Sequence, residues 1–260
     1  MNRGKGNSKS REKRTGLGKE RGNLETARTR SIRTAARNTG KLQLVRLSRQ
    51  RPRRRKKDAL GSSLRDEAGF ISEADLYEVF YYIIRAWSRP SMLGGRFVPQ
   101  MCYPISSGQL TQALKESGSI FDEIAELPVT FCPLNLNNNH WVLLVFDFRS
   151  RFGWIWFVDP RGNPAPTWLK KALQRRFSNH FVRNLGGKVQ FDGCHCGIWC
   201  ALIATQYLRC CQDTGFEPAQ FTLGRKVAVG VTVDARFKVE QEYNSQVALD
   251  TRRFYASQIR

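Results

Sequence analysis

From Ser72 onward, apolar side chains return every three or four positions. Leu76, Val79, Phe80 and Ile83 fall on one stripe, the spacing of a helix buried along one face. Ser72 is a helix-capping residue, and Glu73 and Asp75 suit the positive end of the helix dipole. A second helix is predicted over residues 107–126, with Ser107 as cap and Leu110, Ala113 and Leu114 inward; a buried strand follows at Leu127–Pro133. Asn135-Leu136-Asn137-Asn138-Asn139 is turn-rich. Val142–Phe148 and Trp154–Val158 are β-rich runs, and Arg149-Ser150-Arg151-Phe152-Gly153 between them reads as a hairpin loop.

Asp159-Pro160 ends the second run. After a Pro/Gly loop, Thr167–Phe181 reads as an amphipathic helix. Its inward set is Trp168, Leu169, Ala172, Leu173 and Phe177, and Lys170, Lys171, Arg175 and Arg176 face out. Lys188–Phe191 reads as a short strand broken by Gly193. From Gly197, residues Ile198, Ala201, Leu202, Thr205 and Leu208 restore helical spacing. A further strand is predicted over 225–233 and a final helix over Asn244–Tyr255.

Charge divides the chain. Its formal net charge is +21 over 260 residues, yet residues 1–57 hold 21 Lys/Arg against three acids and residues 58–260 are nearly balanced. The first 57 residues have no aromatic residue and no periodic apolar content, so they cannot bury enough surface to offset the entropy of ordering. A disordered basic arm (1–57) and one globular domain (58–260) are therefore expected; a domain of that size buries about 70% of its unfolded surface. Leu42, Leu44 and Leu47 read as a helical turn for a partner. Arg51-Pro52-Arg53-Arg54-Arg55-Lys56-Lys57 reads as a nuclear-import signal or a phosphate contact; lacking aromatics, it could hold nucleic acid only weakly and non-specifically. No apolar segment approaches the ~20 residues of a membrane span, and neither a secretory leader nor a membrane role is expected. Seven cysteines, an odd number, fit free thiols in a reducing nucleus or cytoplasm.

The chemistry gathers at Gln190–Cys200. Cys196 opens a helix, where unpaired N–H groups and the helix dipole favour thiolate over thiol. Cys200, Cys210 and Cys211 fall inside the helical pattern as packing residues. Cys194, His195, Cys196 and Cys200 are possible zinc ligands, but zinc sites usually pair two Cys-x-x-Cys knuckles and no second one exists, so no metal or cofactor is expected. Folding the hairpin back brings His140, at the start of one strand, to Asp159, at the end of the next. Singly these are a loop histidine and a strand-end turn residue. Around one helix-start cysteine they form a base and its orienting acid, with Gln190 as an N–H donor to a developing oxyanion.

In this arrangement the chain resembles the Ulp/SENP-type cysteine proteases, which act on SUMO and other ubiquitin-like modifiers. Pro133-Leu134-Asn135, His140-Trp141, Asp159-Pro160 and Gln190-x-Asp192-x-x-His195-Cys196-Gly197 follow that family's motifs in order, over roughly residues 68–211. The resemblance implies a papain-like α+β core: a central antiparallel or mixed sheet flanked by helices, with the Cys196 helix packed on it. It implies catalytic His140, Asp159, Gln190 and Cys196, with Trp141 and Phe70 against a glycine-ending tail, and a ubiquitin-like protein or its conjugates as partner. His195 stands where the family has Asp, Asp192 where it has Asn, and Phe70 where it has Trp; these bear on the modifier recognised more than on catalysis. Two related groups share the His-acid-Gln-Cys order, the adenovirus-type (adenain-like) maturation proteases and the YopJ-type acetyltransferases. A third possibility is an inert module of protease descent whose basic arm holds nucleic acid.

Overall fold

The computed structural model describes residues 44–45, 61–89, 91–150, 152–212, 216–221 and 233–259. In chain order the elements are β1 (Leu44–Val45), α1 (Ser62–Arg65), α2 (Glu73–Trp87), β2 (Gln100–Cys102), β3 (Ile105–Ser106), α3 (Ser107–Lys115), α4 (Ile120–Ile124), β4 (Val129–Leu136), β5 (His140–Asp147), β6 (Trp154–Val158), α5 (Thr167–Arg176), β7 (Phe181–Leu185), α6 (Cys196–Cys210), a 3-10 turn at Pro218–Gln220 and α7 (Val233–Gln258). The fold is α+β.

A mixed sheet runs β1-β2-β4-β5-β6-β7, with β3 also beside β4. Strands β4, β5 and β6 form an antiparallel meander; β2 and β3 run parallel to β4, and β7 parallel to β6. Alternate residues of β5 enter two cores. Leu143 and Val145 pack with α2, α6 and α7, whereas Val142, Leu144 and Phe146 pack with α3, α4 and α5. Covered on both faces, β5 is a continuous apolar run rather than an alternating one. The β4–β5 turn places Asn137 and Asn138 at φ 54 and 60, left-handed backbone that asparagine tolerates better than other side chains. That turn sets Leu136 opposite His140.

Several expectations are corrected. The helix predicted over 107–126 is two, α3 and α4, broken at Gly118 (φ 73). Each has its own serine cap: Ser106, in a reciprocal capping box with Gln109, and Ser119. The helix predicted from Thr167 stops at Arg176, and Phe181 instead opens β7. Phe181 packs on Trp154 at 4.8 Å between ring centroids, a contact from outside the local pattern. Trp168, expected inward, is 41% exposed. Lys188–Phe191 is no strand, because the Val189 and Gln190 N–H groups both donate to the Pro160 carbonyl, not to a ladder. Leu44–Val45 is a strand antiparallel to β2 where a helical turn was expected. The rest of the 1–57 arm lies outside the described residues, as does the strand expected over 225–233, apart from Val233, which opens α7.

Helix α6 packs on β5 and β4 on one face of the sheet and against α2. Its buried set includes Cys196, Cys200, Ile203, Ala204 and Tyr207, while Leu202 and Thr205 of the expected stripe are only half-buried. Gly197 lets α6 approach closely: a Cβ there would collide with Ile71 Cγ2 and lie 3.3 Å from Trp141 Cδ1. From α7, the buried Arg252 donates to the carbonyls of Ser63, Leu64, Glu67 and Gly69, fixing the segment that leads into α2 beside the start of α6.

Candidate active site

Antiparallel pairing sets Leu143 of β5 against Val158 of β6, so the start of β5 lies beside the residue that follows β6. His140 Nε2 is 2.7 Å from Asp159 Oδ1. Asp159 is buried, and its oxygens also accept from the Arg161 N–H at 2.8 Å and the Asn163 side-chain amide at 2.9 Å. Burial alone would push this carboxyl up. The bonds from His140, Arg161 and Asn163 outweigh it and hold Asp159 below the usual carboxylate range, so it is an anion facing the imidazole.

Burial alone would lower the His140 pKa, but the hydrogen bond to Asp159 and the interactions with Cys196 raise it to about 9. With Nε2 on Asp159, Nδ1 is the nitrogen left for Cys196. It is buried and has no hydrogen bond of good geometry among the described residues. Cys196 begins α6, and its sulfur accepts the Trp141 backbone N–H at 3.3 Å. The structure thus brings Cys196, His140 and Asp159 together. Cys196 has no exposed surface.

The other expected site residues are placed as follows. Gln190 is buried; its Nε2 donates to Asp192 O at 2.9 Å and, at 3.3 Å, to Asp192 Oδ1, while its Oε1 has no partner among the described residues. The Trp141 indole is a core group, 4% exposed, with Nε1 donating to Ile71 O at 3.1 Å. Phe70 is 49% exposed. His195 is turned toward Asp192 and Cys194: its Nδ1 is 3.2 Å from Asp192 Oδ1 and 3.5 Å from Cys194 Sγ. Asp192 Oδ1 also accepts the N–H groups of Cys194 and His195, a side-chain cap on the turn into α6. Burial would raise the Asp192 carboxyl, but the bonds from the His195 side chain and from the two N–H groups hold it well below the usual carboxylate range. Arg161 closes the arrangement, donating to Gly193 O at 3.0 Å and so tying the Asp159 loop to the Cys196 turn.

Three contributors were not foreseen in the sequence: the Trp141 N–H, Asn163 and Arg161. Only Asn163 left a signal, as a polar residue four positions after Asp159 in a loop that returns to it. A cleft of about 440 Å³, lined by Arg96, Phe97, Phe148 and Arg149 among others, is separate from these residues. Its arginines are committed, Arg96 to the Cys211 and Gln212 carbonyls and Arg149 to Asp147.

No protein-family model and no curated protein matches the chain. Solved protease structures do. The Xanthomonas campestris effector XopD, in its structure bound to ubiquitin, is similar at 16% identity and a TM-score of 0.43, over 69% of this chain and 91% of that one. A de-sumoylating protease is similar at 10% identity and a TM-score of 0.45, over 76% and 85%. The SUMO protease Ulp1, with its catalytic cysteine oxidised to a sulfonic acid, is similar at 17% identity and a TM-score of 0.42, over 76% and 81%.

Proposed function

We propose that the chain is a cysteine peptidase or isopeptidase that releases a ubiquitin-like modifier after its C-terminal glycine. The observation that carries the chemistry is the buried His140–Asp159 pair beside a cysteine at a helix N-terminus. The glycine-tail specificity rests on the motif resemblance. Cys196 Sγ attacks the scissile carbonyl carbon with its proton already held by His140, whose raised pKa keeps it an imidazolium. The tetrahedral oxyanion takes hydrogen bonds from the Cys196 N–H and from Gln190 Nε2, whose longer contact to Asp192 Oδ1 is the one a substrate oxygen replaces. His140 then protonates the departing amine, leaving a thioester. Water, deprotonated by His140, attacks the thioester and releases the Cys196 sulfur beside the His140 imidazolium. Asp159 holds the ring and stabilises the imidazolium. Phe70 supplies an exposed apolar wall for the tail; Trp141 contributes its main-chain N–H and supports α6 from below.

The test is a turnover panel: fluorogenic ubiquitin, SUMO and other glycine-ending modifiers, with labelled acetyl-CoA alongside. Cleavage of at least one modifier, lost in Cys196→Ala, is the expected result. Acetyl transfer from the labelled cofactor without cleavage would assign the same residues to the acetyltransferase chemistry instead. Neither activity, in folded protein, would leave the inert module.

A further inference from the structure

Beside the proposed nucleophile lies a second cluster whose cysteine and histidine the peptidase mechanism does not use. A carboxylate oxygen of Asp192, the Cys194 sulfur and a ring nitrogen of His195 all lie within 4.8 Å of one another. Cys196 is not part of it, its sulfur being held by the Trp141 N–H. The set therefore differs from the Cys194, His195, Cys196 and Cys200 combination that the sequence suggested.

We propose that Asp192, Cys194 and His195 form a binding site for a zinc-class divalent cation. The donor set of thiolate, imidazole and carboxylate suits a borderline-soft ion. The spacing suits it as well. With Zn–N, Zn–O and Zn–S bonds of about 2.0–2.3 Å, a tetrahedron has N–O edges of about 3.3–3.5 Å and N–S edges of about 3.6 Å. The observed His195–Asp192 and His195–Cys194 separations are 3.2 and 3.5 Å. His195, its side chain only 9% exposed, is held with Nδ1 facing the Asp192 and Cys194 donors. Asp192 Oδ1 is meanwhile fixed by the Cys194 and His195 N–H groups, the kind of support that orients a ligating carboxylate. Cys194 and Asp192 are partly exposed, which gives an ion a way in and leaves its fourth position to water. On binding, the Cys194 S–H proton leaves to solvent and the sulfur lone pair forms the bond to the metal; no oxidation state changes.

A hydrogen-bonded turn without metal would show similar distances, so the test reads the metal directly and needs no turnover. Full-length chain, stripped with a chelator under reducing conditions, is titrated with cobalt(II), and thiolate-to-cobalt absorption is followed. The expected result is a single tetrahedral site in the unmodified chain and in Cys196→Ser. The absorption should be lost in Cys194→Ser, and affinity should fall at least ~10-fold in His195→Gln and Asp192→Asn. The Asn variant retains an oxygen for the two capping N–H groups, and circular dichroism verifies the fold of each protein. If no absorption develops, or if it survives in Cys194→Ser and vanishes in Cys196→Ser or Cys210→Ser, the site is not here. Because the readout is spectroscopic, an inactive protein can still bind and an active one can still fail to.

Discussion

The Trp141 backbone N–H lies 3.3 Å from the Cys196 sulfur, joining residues 55 positions apart in the chain. It joins strand β5 to helix α6 at the point where the proposed chemistry occurs. The same residue anchors its indole to the Ile71 carbonyl, so the residue next to the base also sets the height of α6 over the sheet.

This close approach makes Gly197 a packing requirement. In an exposed helix, alanine for glycine gains about 1 kcal/mol of helix propensity. Here the added methyl would meet Ile71 Cγ2 and crowd the Trp141 ring, and overpacking of this kind costs about 1–3 kcal/mol. Gly197→Ala should therefore lower the denaturant midpoint. A midpoint at or above that of the unmodified chain would show that Ile71 yields without cost.

The two histidines should differ sharply in their effect on catalysis. His140→Ala should lower kcat by ~10³-fold or more, as loss of a triad base does. His195, turned toward Asp192 and Cys194, should matter at most ~10-fold to kcat/KM in metal-free protein, about 1.4 kcal/mol. His195→Asp, which restores the residue of the resembling family, should be tolerated. Measured kcat/KM values in the opposite order would overturn the triad assignment.

A pH dependence follows from the His140 shift. Its folded pKa is raised to about 9 from an unfolded value of about 6.5. The stabilisation from charging His140 beside Asp159 is therefore full below pH ~6.5 and declines as pH rises through about 9. The imidazolium needed beside the thiolate is lost over the same window. The alkaline limb of kcat/KM on a small substrate should fall near pH 9, and Asp159→Asn should move it to lower pH. An unshifted limb in Asp159→Asn would mean that the pair does not set the proton affinity of His140.

Much of this arrangement was legible in sequence because it depends on short-range pattern. The β5–β6 hairpin fixed the approach of His140 to Asp159, and the helical period after Gly197 placed Cys196 at the start of a helix. What was not legible depends on contacts between distant segments. Strand β7 is set by pairing with β6 and by the Trp154 ring, and nothing within Thr167–Phe181 announces where helix gives way to strand. The Pro160 carbonyl draws Val189 and Gln190 out of a ladder that their composition would suit. Backbone donors such as the Trp141 N–H carry no side-chain signature at all.

The basic arm should act as an electrostatic handle. Residues 1–57 are expected to bind nucleic acid weakly, with affinity falling steeply as salt rises because counterion release drives the contact. Deleting 1–41, which spares β1 and the Arg51–Lys57 cluster, should weaken that binding and flatten its salt dependence, and leave turnover on a small substrate intact. Salt-insensitive binding, or loss of turnover in the truncated chain, would contradict this assignment.

The most direct test of the central claim is covalent capture of the nucleophile. Full-length chain is treated with a panel of glycine-ending ubiquitin and SUMO vinyl sulfones, and the adduct is mapped by peptide mass spectrometry. One or more probes should modify Cys196 alone, with no adduct in Cys196→Ala and strongly slowed labelling in His140→Ala. An adduct on Cys194, or labelling of Cys196 at an unchanged rate in His140→Ala, would contradict a thiol at Cys196 activated by His140.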